Sequence, residues 1–528
     1  MVRQALKLVK TSTVGVIFLG MILGIPQANA DSCSLRISMG SLKILDPIVT
    51  TAGQTKYHAD LVYDYLFRLD SNNQPQPMMI DSWSVSDDGL NYSFTLRSGM
   101  TFHNGDPVTS RDVVASLERW GKKDGSGQLI FQRTKEFKAV DETTFVWNLT
   151  EPFGILVNVL AKPNALAPII TTYELAQTSP EEAMAEVIGS GPYRFVKEEW
   201  IPDGLTVYEK FEEYAARSEP ADMFAGDRTA QCDRIEAPYI ADIQTQMSAV
   251  QSGEIDFTIN TQYDLLPILD ADPNVVTMGY DDTGLTGVIR INWLHPPFDN
   301  VKGRKAVQWL INQEETLHAI AGNSEYYYKC GSMFGCGHGN ASELNSDAIM
   351  GFDLEKAKQL FDEAGYDGRT LVILQRSDHP REKFACQIIG DNLRKIGAKV
   401  DLQLMDWGTV TQRRIIKDAP EDGGWNLFCT ASPGIGQSDP LFILNSAACD
   451  DAWYGWPCDE EYESYRQAYI SAPSAAAARE LIDKMQVRSM DIVQAINYGT
   501  LKANVAFSAK LKGVQAARGG YPFWAISK

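Results

Sequence analysis

The 528-residue sequence predicts an α/β protein, and three stretches carry that expectation. "DLEKAKQLFDEAGYDG" places Ala357, Leu360, Phe361 and Ala364 at i, i+3, i+4 and i+7, one buried face of a helix. Asp353 stands at its N-cap and Gly365 where a C′ glycine belongs. "NYSFTLR" alternates Tyr92, Phe94 and Leu96 against Ser93, Thr95 and Arg97, the period of a half-buried strand. "FACQIIGDNLRKIGAKVDLQLMDW" reads as helix, a break at Gly397, then strand.

Taken from the start, residues 1–30 carry Arg3, Lys7 and Lys10, then an apolar run from Val14 to Ile25 and the small-x-small triplet Ala28-Asn29-Ala30. The run is shorter than the ~20 apolar residues a bilayer needs. A secretory signal peptide cleaved after Ala30 is expected, with a periplasmic mature chain beginning at Asp31. Ala30-Asp31-Ser32 before Cys33 makes a poor lipid-attachment box. Cleavage leaves 498 residues, enough for roughly three domain-sized units. It also takes the formal charge from −20 to −23, because the removed segment holds three basic and no acidic residues. Such a chain is a poor partner for nucleic acid or an anionic membrane surface.

"SGMTFHNGDPVTSRDVV" holds the ingredients of an active site, yet each residue has a structural use. Asn104-Gly105 predicts a tight turn after the strand. Thr109 and Asp112 then form a capping-box pattern for a helix with Val113, Leu117 and Trp120 on one face. His103 is read as a structural histidine. Further on, "TGVIRIN" is a strand broken by Pro296-Pro297, "TLVILQR" is another strand, and "SAPSAAAARELIDKMQVRSM" becomes a helix after its proline. "ARSEPADMFAGDRTAQCDR" reads as a polar surface loop, and repeats and low-complexity tracts are absent from the sequence.

The eight cysteines are an even number, and export permits disulfides. Cys330 with Cys336, and Cys449 with Cys458, are expected to staple local loops; Cys33 with Cys232 and Cys386 with Cys429 remain by elimination. Cys330, Cys336 and His338 match no standard zinc spacing, so neither metal nor cofactor is expected.

A secreted hydrolase is the main competing class. Ser190 in "IGSGPYRF" lacks the first glycine of a Gly-x-Ser-x-Gly elbow, His-Glu-x-x-His and a Walker A lysine are missing, and Asp87-Asp88 falls in a predicted turn. The expectation is therefore a protein that is not an enzyme, with a signalling or chaperone-type receptor as the other alternative.

"LRSGMTFHNGDPVTSRDVVASLERW" closely resembles the signature of the family 5 extracellular solute-binding proteins, receptors of oligopeptide, dipeptide and nickel-type ABC importers. "GSGPYRFVKEEW", "AVQSGEIDF", "INWLHPPFDNVKGRKAVQWLIN" and "DLEKAKQLFDEAGYDG" resemble later family motifs in the same order. The resemblance implies a two-lobed, Venus-flytrap α/β fold. Lobe one would take 31–289 and 499–528, with an inserted subdomain at about 65–190, and lobe two 290–498; crossings would lie near 290–292 and 497–500. It implies a monomer that captures a small solute between its lobes and delivers it to the transmembrane subunits of a permease.

Family ligand contacts map to "VTTAGQTKYH", Asn292-Trp293, "VTQRRI", "FCTASPGIGQSDP" and "DDAWYGWP". The candidate ligand residues are Tyr57, Trp293, Trp453 and Trp456 for stacking, Arg413 as a fork for an anion, and Ser432 and Gln437 as polar anchors. Peptide-binding members place an Asp near the position of Ile435, where it pairs with the peptide ammonium; here the nearest carboxylate in sequence is Asp439. The ligand could therefore be peptide-like, a sugar, an opine, a modified amino acid or a metal chelate, with ordinary peptides disfavoured.

Overall fold

Two long strands, Val275–Ile291 and Ile496–Ser508, run antiparallel and organise the rest of the chain. The computed structural model describes residues 33–163, 165–472 and 475–528; the expected signal peptide and its cleavage point lie outside the described residues. At one end, 275–279 pairs with 504–508, which also borders Phe257–Thr258. The sheet continues from there through Ser34–Ser38, Arg234–Pro238, Leu205–Lys210 and Tyr193–Phe195. At the other end, 285–291 pairs with Leu427–Pro433, followed by the parallel strands Thr370–Arg376 and Lys399–Met405.

Each half of this sheet buries its own core. Leu35, Ile37, Val505 and Phe507 belong to one, and Val288, Ile289, Leu371, Ile373, Ile496 and Tyr498 to the other. The fold is thus two-lobed and α/β. Between the two ends, at 281–285, the register slips, so that Asp281 faces Ala503 while Leu285 faces Leu501, and the strand gains Leu427–Pro433 as a second neighbour. Gly284 permits it: φ is +66°, and a Cβ there would sit 2.6 Å from the Leu501 carbonyl oxygen. Arg290, in the segment expected to cross between the lobes, faces Phe428 across the ladder. "TGVIRIN" is only the second half of a longer strand, which ends at Ile291, ahead of Pro296-Pro297.

The subdomain is an antiparallel sheet ordered Ile80–Val85, Asn91–Leu96, Thr144–Leu149, Thr134–Ala139, covered by helix Ser110–Gly121. Tyr92, Phe94 and Leu96 face inward as the alternation requires. The opening of the helix is built from the expected pair: the Asp112 carboxylate accepts the Thr109 backbone N–H at 2.8 Å and the Thr109 hydroxyl at 2.6 Å. Its other oxygen accepts Tyr173 N–H at 2.8 Å. His103 Nε2 meets the Gly191 carbonyl at 3.0 Å, and the ring packs edge-on to Phe211. Asp112→Ala should therefore cost about 0.5–2 kcal/mol in urea unfolding and leave solute affinity unchanged. Lost binding at unchanged stability would contradict this.

Four disulfides close the described chain, Cys33–Cys232, Cys330–Cys336, Cys386–Cys429 and Cys449–Cys458, and no cysteine is free. Denatured, unreduced protein should show no reactive thiol, and full reactivity only after reduction.

The segment 216–233 is irregular as expected, but it is not confined to the surface. Phe224 and Arg228 are buried, and Arg228 pairs with Asp64 at 2.7 Å and covers the Trp524 ring. Its polar composition serves a buried charge network rather than solvent.

Three imidazoles, His58 buried and His103 and His379 half-buried, give the fold a pH limit. Burial pushes His58 and His379 down to about 3 and His103 to about 4. Unfolded, they titrate near 6.5. Between those values the unfolded chain binds more protons, so stability is full above about pH 6.5 and falls as the pH drops toward 4. The melting temperature should decrease from neutral to pH ~5, with a smaller decrease in His103→Gln.

Candidate functional site

Between the two halves lies a cleft of about 370 Å³. Its lobe-one wall comes from the start of helix Gly53–Val62 and from Tyr280, Asp281 and Tyr521; its lobe-two wall comes from His379, 381–382, 406–408, 411–412, Arg414, 430–433 and Trp453.

Helix Pro380–Lys395 begins with Pro380 in its first turn and His379 as N-cap, its Nδ1 accepting Arg381 N–H at 3.3 Å. That start presents Arg381 and Glu382 to the cleft. Glu382 takes Arg381 through 2.6 and 2.9 Å bonds, with Arg376 at 3.9 Å. Burial would raise its carboxyl, but Arg381, His379 and Arg376 hold it at about 2. Arg376 also pairs with Asp378 at 2.7 Å. The positive and negative groups at this edge neutralise one another.

Arg414 is different. Asp406 caps the short helix Trp407–Arg413 by accepting Thr409 N–H at 3.1 Å. Arg414 follows on the same face as the buried Val410, so its side chain turns inward while Arg413 turns out. It is 4% exposed and lines the cleft. Its guanidinium carbon lies 4.7 Å from the Tyr454 ring centre, 5.0 Å from Trp453 and 5.4 Å from Trp407. Nη2 reaches across to the Thr51 hydroxyl at 3.3 Å, Nε has no hydrogen-bond partner, and among the described residues no carboxylate pairs with the group. Burial pulls it down to about 10. It remains a cation at neutral pH with open donors, held among aromatic faces.

Of the expected ligand residues, Tyr57, Ser432 and Trp453 line the cleft. The others lie elsewhere. Arg413 bonds the Gly423 and Gly424 carbonyls and Gln403 on the outer side. Trp293 is covered by the Arg304 guanidinium at 3.4 Å. Gln437 binds the Met333 carbonyl and Asn445 inside lobe two, and Trp456 packs on Trp425.

Near Ile435 the structure brings a carboxylate that the local sequence does not show. Ile435 N–H donates to the Thr283 hydroxyl at 3.0 Å, which donates to Asp281 at 2.5 Å. Asp439 instead caps Leu441 N–H and lies off the cleft lining. Among the described residues no cluster of three or more His, Cys, Asp or Glu is arranged to hold a metal, and no helix is long and apolar enough to cross a membrane.

Residues 74–452 match the model of the bacterial extracellular solute-binding proteins, family 5 Middle. The chain belongs to this family. The binding protein is 37% identical over 489 residues to a probable peptide ABC transporter periplasmic-binding protein, y4tO, of Sinorhizobium fredii, covering 91% of each chain. It is 26% identical over 436 residues to the glutathione-binding protein GsiB of Escherichia coli K12, covering 80% of each. It superposes on a dipeptide-binding protein from Pseudoalteromonas sp. SM9913, solved with Met-Leu, with a TM-score of 0.78 and 20% identity, over 94% of this chain and 100% of that one.

Proposed function

We propose that this solute-binding protein works in the periplasm as the monomeric receptor of an ABC importer. It captures a small acidic solute between its lobes, passes it to the permease subunits and catalyses no reaction. The observation that carries the acidic solute is Arg414, a buried guanidinium on the cleft wall with no carboxylate beside it. An uncompensated buried charge is costly, and a ligand carboxylate would meet its planar fork.

The binding role is supported by family membership and by Ser190, whose neighbours serve packing rather than chemistry. A Cβ on Gly189 or Gly191 would meet the Val62 backbone at 2.0 or 2.7 Å, so the turn is shaped for close approach. The net charge of −20 offers nucleic acid no footing. The lobes already touch across the cleft, with Lys43 placed 3.2 Å from Asp203 and 3.9 Å from Asp406. A hinge at 281–285 and its facing strand would close them further.

Native mass spectrometry of protein freshly released from the periplasm is the test. A bound small molecule bearing a carboxylate is expected. A neutral or purely cationic adduct would overturn the acidic-solute reading.

A further inference from the structure

We propose that the acidic group of the solute is seated between Arg414 and the N-terminus of helix Gly53–Val62, an anion cradle shared by both lobes. This deepens the reading of Arg414 as the anion anchor and rests on it. The helix has ten residues and opens on the cleft, where Gly53, Gln54, Thr55 and Lys56 line the wall. Ala52 stands at the N-cap, so no side chain caps the helix, and its first turn holds no acidic residue. The Ala52 N–H is taken by the Thr50 hydroxyl at 3.2 Å, and Lys56 N–H donates to the Ala52 carbonyl at 3.2 Å as the helix begins. The N–H groups of Gly53, Gln54 and Thr55 come between these two, and a helix offers them no internal acceptor. The Thr55 hydroxyl does not cap them; it donates to the Ile44 carbonyl at 2.6 Å.

What makes this helix end a site is the guanidinium on the opposite wall. Arg414 is 4% exposed, its Nε has no hydrogen-bond partner, and its Nη2 lies 3.3 Å from the hydroxyl of Thr51, two residues before Gly53. Two positive ends thus converge from the two lobes, the partial charge of the helix dipole and the full charge of Arg414. The other cations of the cleft are engaged: Glu382 holds Arg381 at 2.6 Å, Asp378 holds Arg376 at 2.7 Å, and Asp60 holds Lys56 at 2.7 Å. A carboxylate between the helix and Arg414 accepts N–H groups on one side and the guanidinium on the other. By meeting both it draws the lobes together, whereas a neutral amide in its place leaves both unmet.

Calorimetry tests this with a panel of sugar acids, N-acyl amino acids and dipeptides, each beside its primary amide. The wild type should bind the best acid about tenfold or more tighter than its amide. Gly53→Pro deletes one cradle N–H at the first helical position, where proline is tolerated. Ala52, at φ −68° and ψ 132°, already has the extended backbone that precedes a proline. Gly53→Ala retains the N–H, and its Cβ would lie 3.6 Å from the Tyr57 hydroxyl oxygen, an ordinary contact. The proline variant should bind the best acid about tenfold more weakly than the alanine variant, with the two equal toward the amide. Ala52→Ser supplies a side-chain cap that competes for the same N–H groups. Its ligand-free melting temperature should rise while its affinity for the acid falls severalfold, a pairing of signs that loss of structure does not produce. Equal acid affinity in Gly53→Pro and Gly53→Ala, with amidation still damaging, overturns the cradle and leaves Arg414 standing. Indifference of the wild type to amidation overturns the Arg414 reading and the cradle with it, and so does binding of no member of the panel.

Discussion

Arg414→Ala should weaken the binding of the solute recovered from the wild-type protein by about 2 kcal/mol or more, roughly 30-fold. The size follows from the setting. The guanidinium is 4% exposed, ringed by Trp407, Trp453 and Tyr454, and lacks a protein counter-ion, so a ligand carboxylate would meet it in a desolvated pocket. The empty protein should respond in the opposite sense. Removing an uncompensated buried charge relieves its desolvation, so the ligand-free melting temperature of Arg414→Ala should hold or rise. Arg414→Lys retains a charge but loses the two-pronged geometry and should fall between. Arg413→Ala is the control: its partners are the Gly423 and Gly424 carbonyls and Gln403, away from the cleft, and affinity should be unchanged. Calorimetry on the four proteins decides the matter. A loss in Arg413→Ala equal to that in Arg414→Ala would show the effect to be indirect.

The largest stability effect is expected at Asp60. Its carboxylate binds Lys56 Nζ at 2.7 Å, Arg68 Nη2 at 2.8 Å and the Tyr65 hydroxyl at 3.2 Å, while its carbonyl accepts from Arg228. Arg228 is balanced in turn by Asp64 at 2.7 Å. Lys56, Asp60, Asp64, Arg68 and Arg228 are all buried. Burial alone would raise the Asp60 carboxyl, but Lys56 and Arg68 outweigh it and hold it below its ordinary value. Asp60→Ala leaves Lys56 and Arg68 without their common counter-charge in the lobe-one core. The expected cost is about 3–5 kcal/mol, a large fraction of the 5–15 kcal/mol that stabilises a typical domain. Urea unfolding should show a strongly lowered midpoint, or the variant should fail to accumulate. Asp60→Asn keeps acceptor oxygen and shape and should lose less. A midpoint shift within error for Asp60→Ala would show that water or rearranged neighbours already compensate the cluster. Lys56 lines the cleft one residue before Tyr57, so damage here should also reduce solute binding.

What the amino-acid sequence determined by itself was local or carried by long-range pattern. The Thr109–Asp112 cap, the inward alternation of Tyr92, Phe94 and Leu96, the helix after Asp353 and the break at Gly397 each depend on neighbours within a few residues, and the structure shows each in place. The four disulfides were legible because two pairs lie close in the chain and only four cysteines then remained. The tertiary structure decided what depends on distant partners. Arg413 and Arg414 are chemically alike and adjacent; only the packing of Val410 showed which of them turns inward, and Val410 to Arg414 at i, i+4 was the signal available in "VTQRRI". Asp281 lies far from Ile435 in sequence, yet a single threonine hydroxyl links them, because the strand that crosses between the lobes runs beside the loop after Leu427–Pro433. The register slip at 281–285 was hidden for the same reason. A strand keeps its period of two whichever strands flank it, so gaining a second neighbour from Leu285 onward leaves no mark in its hydrophobic pattern.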